Sequence, residues 1–204
     1  MRAAFGLKAH SGWAALVTLA DDGDDGLVVI DRRRIELAAG DRGNQPYHAA
    51  RPLAPSAARA LVARSVEAAE RLAVQELRAA AERAHDHGHV VAASAVLVGT
   101  SMPDWSVDEI LAVHFRMHKA EGVLFQNALV RATGACGLRL VAILEKVLTT
   151  HAERALGMTP GAVATRMTAL GKAVGPPWGR DQKEAALAAL IALRGEALSG
   201  QESS

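Results

Sequence analysis

The first part of the chain alternates between apolar and polar positions in the manner of β-strands. Residues 3–20 favour strand structure, and the segment "GLKAHSG" (6–12) places a Gly-rich bend within it, after which a second strand continues. The run "DDGDDG" (21–26) predicts a turn, and "LVVIDRRRIEL" (27–37) predicts the strand that completes a hairpin. The irregular stretch 38–55 leaves room for one short edge strand. The pattern therefore predicts antiparallel pairing at this end of the chain.

Farther along, helical periodicity alternates with two continuous apolar runs. The predicted helices cover 55–85, 106–133, several pieces up to 174, and 181–198. Pro55 suits a first helical turn, and Ser106 with Glu109 forms a capping-box pattern. The apolar runs "VVAASAVLVG" (90–99) and "LRLVAIL" (138–144) have the length of strands and predict buried ones.

The order of these elements predicts an α/β fold with the order β-β-β-α-β-α-β-α. Because antiparallel strands precede βα units, we expect a mixed sheet with helices on both faces. Half of the 204 residues are apolar, which suits a single domain, here placed at 1–198. We expect a disordered tail over 199–204.

Composition narrows the classes of function. The formal net charge is +1 and aromatic residues make up 3%, which argues against a polybasic coat protein and against a broad base-stacking platform. Cys136 is the only cysteine in the sequence, so no disulfide framework is expected and a cytoplasmic location is natural. No apolar run is long enough to span a membrane, and we expect no membrane partner.

Two basic side chains lie on one face of the first predicted strand. Lys8 and His10 are two residues apart, so they point to the same side of the sheet. In one interpretation they bind phosphate or another anion, with Lys8 supplying a fixed charge and His10 a proton or a donor. In the other they are a solvated pair on an edge. The pattern leaves both open.

The start of the last helix carries two carboxylates. Asp181 as N-cap and Glu184 at the third helical position would satisfy free backbone N–H groups. The spacing of Glu184 to Leu187 and Ile191 also turns Glu184 toward the sheet, with Lys183 adjacent. Two roles therefore remain open for Asp181 and Glu184, which are capping of the helix and membership of a functional site. We expect an ion pair between Lys8 and Glu184 if the first strand and the last helix meet.

A polar group interrupts the apolar stripe of the helix predicted over 106–133. His114, His118 and Glu121 fall within that stripe. Three interpretations remain open: a buried cluster that satisfies its own hydrogen bonds, a functional cleft without metal, or a Zn²⁺ site with Glu121 as third ligand.

Two further groups are candidate binding residues. Glu145 and Lys146 follow a predicted strand directly, at the end where α/β folds place ligands. Arg32 and Arg34 share one strand face and Arg33 takes the other, which suits contact with phosphate or a solvated sheet edge.

The element order and two short stretches resemble the ribonuclease H-like superfamily, and within it the Holliday-junction-resolvase type. The stretches are "GLKAHSG" at the first strand and "DQKEAALAALIAL" (181–193) at the last helix. The resemblance implies a mixed sheet and action on nucleic acid by carboxylates from the first strand, the fourth strand and the last helix, which hold two Mg²⁺ ions. Here Lys8 stands at the first position, and "GTS" (99–101) ends the fourth strand. Only Asp181 and Glu184 match, so the metal site of this family is degenerate in this chain.

Three functions remain as alternatives. The first is association with DNA or RNA; if the protein is an enzyme, it then hydrolyses phosphodiesters without the two-metal site, with Lys8 and His10 on phosphate. In that interpretation Glu184 and Glu121 position or exchange protons, His118 is a further catalytic candidate, and residues 32–34 hold the nucleic-acid backbone. The second is a pocket for a small anionic ligand, and the third is a homodimeric scaffold that pairs Ala-rich helices. The pocket of the second would be lined by Lys8, His118, Glu121, Glu145, Lys146 and Lys183. We expect no cofactor and no bound metal.

Overall fold

A computed structural model describes residues 1–199 except 22, 24, 25, 41 and 42, with side chains through residue 195. The strands are β1 (Arg2–His10), β2 (Trp13–Asp21), β3 (Leu27–Glu36), β4 (Val90–Val98) and β5 (Arg139–Leu144). The helices are α1 (Pro46–Ala50), α2 (Pro55–Asp86), α3 (Val107–Leu111), α4 (His114–Ala135), α5 (Leu148–Leu156), α6 (Pro160–Val174) and α7 (Arg180–Ser199). Most of the tail predicted over 199–204 lies outside the described residues.

The five strands form one mixed sheet in the order β3-β2-β1-β4-β5. Strands β1, β2 and β3 pair antiparallel, whereas β4 runs parallel to both β1 and β5. The predicted mixed sheet of the α/β class is confirmed. Strand β1 lies at the centre, with the antiparallel hairpins on one side and the βα units on the other.

Each face of the sheet is covered by its own helices. Phe5 and Leu7 of β1 belong to a core with α2 and α4. Ala4 of the same strand belongs to the second core, which contains α7 and parts of α5 and α6. Because side chains alternate along a strand, Lys8 and His10 share the face of Ala4 and point toward α7. The alternation of β1 thus brings a lysine beneath the start of the last helix.

Helix α7 lies unusually close to β1. Gly6 sits where the two backbones cross, and a Cβ atom added at Gly6 would fall 1.7 Å from the carbonyl oxygen of Ala185. The buried alanines of α7, among them Ala185 and Ala189, present little side chain to the sheet. Small residues on both sides therefore set the depth at which α7 sits.

Three local predictions need correction. The described part of 38–54 forms the short helix α1 rather than an edge strand, because Pro46 occupies a first helical position. The helix predicted over 106–133 is divided: the capping box of Ser106 starts α3, and α4 begins separately at His114. Strand β5 is an edge strand whose Leu140 and Leu144 are exposed, since it has a neighbour on one side only.

Among the helices that the structure describes, none is long and apolar enough to cross a membrane.

Candidate functional site: a lysine among three carboxylates

The ammonium group of Lys8 lies at the centre of three carboxylates. Its Nζ donates a hydrogen bond to Glu184 Oε2. The same atom lies 3.0 Å from Glu145 Oε1 and 3.4 Å from Asp181 Oδ1. The side chain of Lys8 is 7% exposed. The ion pair between Lys8 and Glu184 that the sequence suggested is present, and two further acids complete the arrangement, which we call the Lys8 cluster.

Three elements bring the Lys8 cluster together. Lys8 is near the carboxyl end of β1, and Glu145 directly follows the carboxyl end of β5. These ends meet at one edge because β4 runs parallel to both strands. Helix α7 begins at the same edge, and Asp181 and Glu184 lie in its first two turns. The topology of the sheet therefore assembles the cluster from residues far apart in sequence.

Charge pairing favours the charged forms of Lys8 and Glu184 in this cluster. Burial disfavours the ammonium form of Lys8, but hydrogen bonds to Glu184 and Glu145 outweigh it and raise the pKa of Lys8 above 10.5. Burial likewise opposes the charged form of Glu184, but hydrogen bonds from Lys8 and Arg180 prevail and lower its pKa below 4.5. Arg180 Nε donates to Glu184 Oε1 at 2.7 Å, and its own pKa is raised by that bond.

These shifts predict how stability depends on pH. A lowered carboxyl pKa in the folded state adds stability above about pH 4.5 that is lost as the pH falls through the folded value of Glu184. A raised ammonium pKa adds stability below about pH 10.5 that is lost as the pH rises through the folded value of Lys8. Urea unfolding at a series of pH values should show both limbs, and Glu184→Gln should flatten the acid limb. Parallel curves for Glu184→Gln and the wild type below pH 4.5 would contradict this assignment.

A stack of three side chains borders the Lys8 cluster on the same face of the sheet. The rings of His10 and Trp13 stack with centroids 4.2 Å apart, and the guanidinium of Arg34 lies 4.4 Å from the Trp13 centroid. His10 Nε2 lies 3.1 Å from Asp181 Oδ2, but outside hydrogen-bond geometry. Arg34 also donates to Glu36 at 2.6 Å. The stack joins the predicted residues His10 and Arg34 through a tryptophan that the sequence interpretation had not used.

The geometry changes the roles first assigned to Lys8 and Asp181. Lys8 is not free to bind phosphate, because its ammonium group already faces three carboxylates. Asp181 is not the N-cap of α7: the helix begins at Arg180, and the Gln182 side chain accepts a hydrogen bond of 2.9 Å from the Gly179 N–H. Asp181 is therefore free to face Lys8 and His10.

Arg32 has a structural role rather than the phosphate contact proposed from the sequence. Its two terminal nitrogens donate to four consecutive carbonyl oxygens, those of residues 174–177, at 2.6–3.0 Å. These bonds fasten the turn between α6 and α7 to strand β3. Arg33, on the other face, donates to Asp31 at 2.9 Å.

His118 and Glu121 lie on the opposite face of the sheet from the Lys8 cluster. They belong to α4, which packs on the core of Phe5 and Leu7. Only Glu121 is buried; His114 and His118 are exposed, so the expectation that all three face the core is wrong. Their neighbour is His48 of α1, which the sequence interpretation missed as a partner.

The pocket predicted for a small anionic ligand does not form, because the six residues predicted to line it lie in separate parts of the structure. Lys8 and Glu145 share the Lys8 cluster, whereas His118 and Glu121 lie across the sheet. Lys183 lines a shallow cleft with Lys172 and Trp178 beside α6. Lys146 is exposed in the single helical turn after β5.

Comparison with known proteins identifies the fold. No protein-family model matches the chain, and no curated protein matches it. The structure of Thermus thermophilus RuvC is similar, with a TM-score of 0.51 and 12% identity over 97% of this chain and 96% of RuvC. The chain has a RuvC-like fold. The structure of T. thermophilus RuvC in complex with a Holliday junction substrate is similar too, with a TM-score of 0.51 and 11% identity over the same shares.

At these identities the likeness concerns the fold alone, and it agrees with the ribonuclease H-like resemblance of the sequence. The residues present do not fit the pair of divalent cations that this resemblance implies. The ammonium of Lys8 fills the centre of the carboxylates, and the end of β4 offers Gly99, whose N–H donates to the Gln126 side chain at 2.9 Å. Two dications need more oxygen ligands and no competing cation.

Proposed function

We propose that this protein binds nucleic acid with a ribonuclease H-like fold whose carboxylate cluster carries a built-in cation and does not hydrolyse phosphodiesters by a two-metal route. The observation that carries the proposal is the position of Lys8, whose ammonium faces Glu145, Asp181 and Glu184 at the carboxyl edge of the central strands. The RuvC-like fold supports nucleic acid as the class of partner.

An ammonium is a poor substitute for two metal ions in catalysis but a good one in structure. It neutralises part of the carboxylate charge through short hydrogen bonds, and it cannot lower the pKa of a bound water or clamp the two oxygens of an in-line displacement. The Lys8 cluster therefore keeps the last helix attached to β1 while removing the hydrolytic chemistry that divalent cations would supply.

The surface beside the Lys8 cluster supplies the contacts that a nucleic acid needs. Arg180 and Arg34 are largely exposed, with side-chain exposures of 78% and 57%. Their guanidinium groups suit phosphate oxygens. The half-exposed Trp13 ring is covered by His10 and by Arg34, so it positions the Arg34 guanidinium and does not stack on a base. We place the nucleic-acid contact here, over Arg34 and Arg180.

Binding measurements at several salt concentrations test this proposal. Single-stranded, duplex and branched DNA and RNA are titrated with the protein, and the slope of log affinity against log salt is recorded. We expect a steep negative slope, and Arg34→Ala and Arg180→Ala should each reduce it by roughly one unit, because each removes about one phosphate contact. Addition of Mg²⁺ or Mn²⁺ should not lead to cleavage of any of these substrates.

Arg131→Ala is the matched control, because Arg131 is an exposed arginine that pairs with Glu70 much as Arg34 pairs with Glu36. It should leave affinity and salt slope unchanged. Absence of binding to every nucleic acid, or equal effects of Arg34→Ala and Arg131→Ala, would refute the proposed contact. Divalent-dependent cleavage that the wild type catalyses would refute the assignment of Lys8.

A further inference from the structure

Three histidines from two elements converge on the face of the sheet opposite the Lys8 cluster. His48 belongs to α1, and His114 and His118 lie one turn apart at the start of α4. One ring nitrogen of each lies within 4.8 Å of one from each of the others. The ring centroid of His48 lies 5.2 Å from that of His114 and 4.7 Å from that of His118. Three imidazole nitrogens this close together can serve as ligands of one metal ion.

The spacing of the two α4 histidines suits a shared metal ion. His114 Nε2 and His118 Nε2 are 3.1 Å apart, within hydrogen-bond distance of each other. Two nitrogens bound to one tetrahedral Zn²⁺ at ~2.0–2.1 Å are separated by about 3.3 Å. Residues four apart on a helix present their side chains on one face, so this pair is positioned before any ion binds. The exposed rings of His114 and His118 can close the remaining distance to His48 by side-chain rotation.

Glu121 orients the third histidine. Its carboxylate accepts hydrogen bonds from His48 Nδ1 at 2.9 Å and from the His48 backbone N–H at 3.1 Å. Glu121 is 3% exposed, and α1 has no side-chain cap of its own, so this carboxylate fixes both the short helix and the ring. Since a carboxylate only accepts, His48 Nδ1 is the nitrogen that donates, and Nε2 is the nitrogen left for a metal ion to displace a proton from or to bind directly. A carboxylate behind a histidine is the usual outer partner of a metal-bound imidazole.

The geometry points to a site for a divalent transition-metal ion, with His48, His114 and His118 as ligands and Glu121 as the residue that positions His48. Three imidazoles suit Zn²⁺ and related ions such as Co²⁺. Because His114 and His118 are exposed, a fourth position faces solvent and takes water or a small ligand. This site replaces the expectation of no bound metal. It is independent of the nucleic-acid contact, which lies on the other face of the sheet.

Metal titration of the tag-free chain tests the site. After treatment with a chelator, the protein is titrated with Zn²⁺ and with Co²⁺. We expect one equivalent to bind, with visible absorption bands for bound Co²⁺ and a higher unfolding midpoint with Zn²⁺, because the ion binds only the native state. His114→Ala and His118→Ala should each abolish stoichiometric binding. Glu121→Gln should weaken it by roughly 10–100-fold.

The control is His151→Ala, which removes an exposed histidine of α5 outside the cluster and should leave Zn²⁺ binding unchanged. Both α4 histidines are exposed, so their variants test the site even where Glu121→Gln does not fold. A wild-type chain that binds no Zn²⁺, or binding that survives in both His114→Ala and His118→Ala, would overturn the proposal. Wild-type affinity in a folded Glu121→Gln variant would overturn the role of Glu121.

Discussion

Replacing Lys8 by alanine is expected to lower the free energy of unfolding by about 3 kcal/mol, because it leaves Glu145, Asp181 and Glu184 facing one another without their central cation. Removing one partner of a buried ion pair costs roughly 3–5 kcal/mol. The lower end applies here since the three carboxylates keep side-chain exposures between 20% and 38% and Arg180 remains beside Glu184. Equilibrium unfolding in urea measures the loss.

Lys8→Asp separates this explanation from simple loss of packing. The variant gathers four carboxylates at the same place, so Mg²⁺ or Ca²⁺ should raise its unfolding midpoint while leaving the wild type unchanged. Lys146→Ala removes an exposed lysine nearby and should change stability by less than about 0.5 kcal/mol. The explanation fails if Lys8→Ala and Lys146→Ala are equally stable, or if divalent ions have no effect on Lys8→Asp.

Local signals in the sequence predicted the elements whose ends are marked by specific residues. Helix α2 runs from Pro55 to Asp86, because proline suits the first turn and Gly88 takes a left-handed conformation just beyond the end. Strand β4 was predicted from its continuous apolar run, which the sheet buries near its centre. Most side chains of β5 are exposed because this strand lies at the edge of the sheet. The sequence of the strand alone does not predict that position.

The two clusters differ in how far the sequence could reveal them. The pair of Lys8 and Glu184 was predicted from the resemblance to the ribonuclease H-like superfamily. In that resemblance Lys8 stands where the family has a metal-binding acid on the first strand, and Glu184 matches an acid at the start of the last helix. Glu145 was a candidate through its place after a strand. His48 had no such signal, since its contact with Glu121 joins α1 to α4 across 73 residues and depends on how α1 packs. Contacts between polar residues far apart in sequence depend on the tertiary structure, and the periodicity of apolar residues along the chain does not predict them.

Gly6→Ala is expected to destabilise the protein by about 3 kcal/mol or more, which is the upper range for overpacking. A Cβ atom at residue 6 would lie 1.7 Å from the Ala185 carbonyl oxygen and 2.9 Å from the Ala189 backbone nitrogen. Both contacts are with backbone, so no side chain can rotate away and α7 itself must move. Because α7 carries Asp181 and Glu184, the same change should also separate these acids from Lys8 and flatten the acid limb of stability.

Gly122→Ala is the matched control for this argument. Gly122 lies in α4, is exposed, and has no atom within 4 Å of an added Cβ, so alanine there should stabilise the helix by up to about 1 kcal/mol. The two substitutions add the same methyl group, and their opposite signs would isolate the crossing of β1 and α7 as the cause. Unfolding free energies that change by the same amount in Gly6→Ala and Gly122→Ala would show instead that α7 does not rest on β1 at Gly6. In that case the depth of α7, and with it the short distances of the Lys8 cluster, would need another explanation.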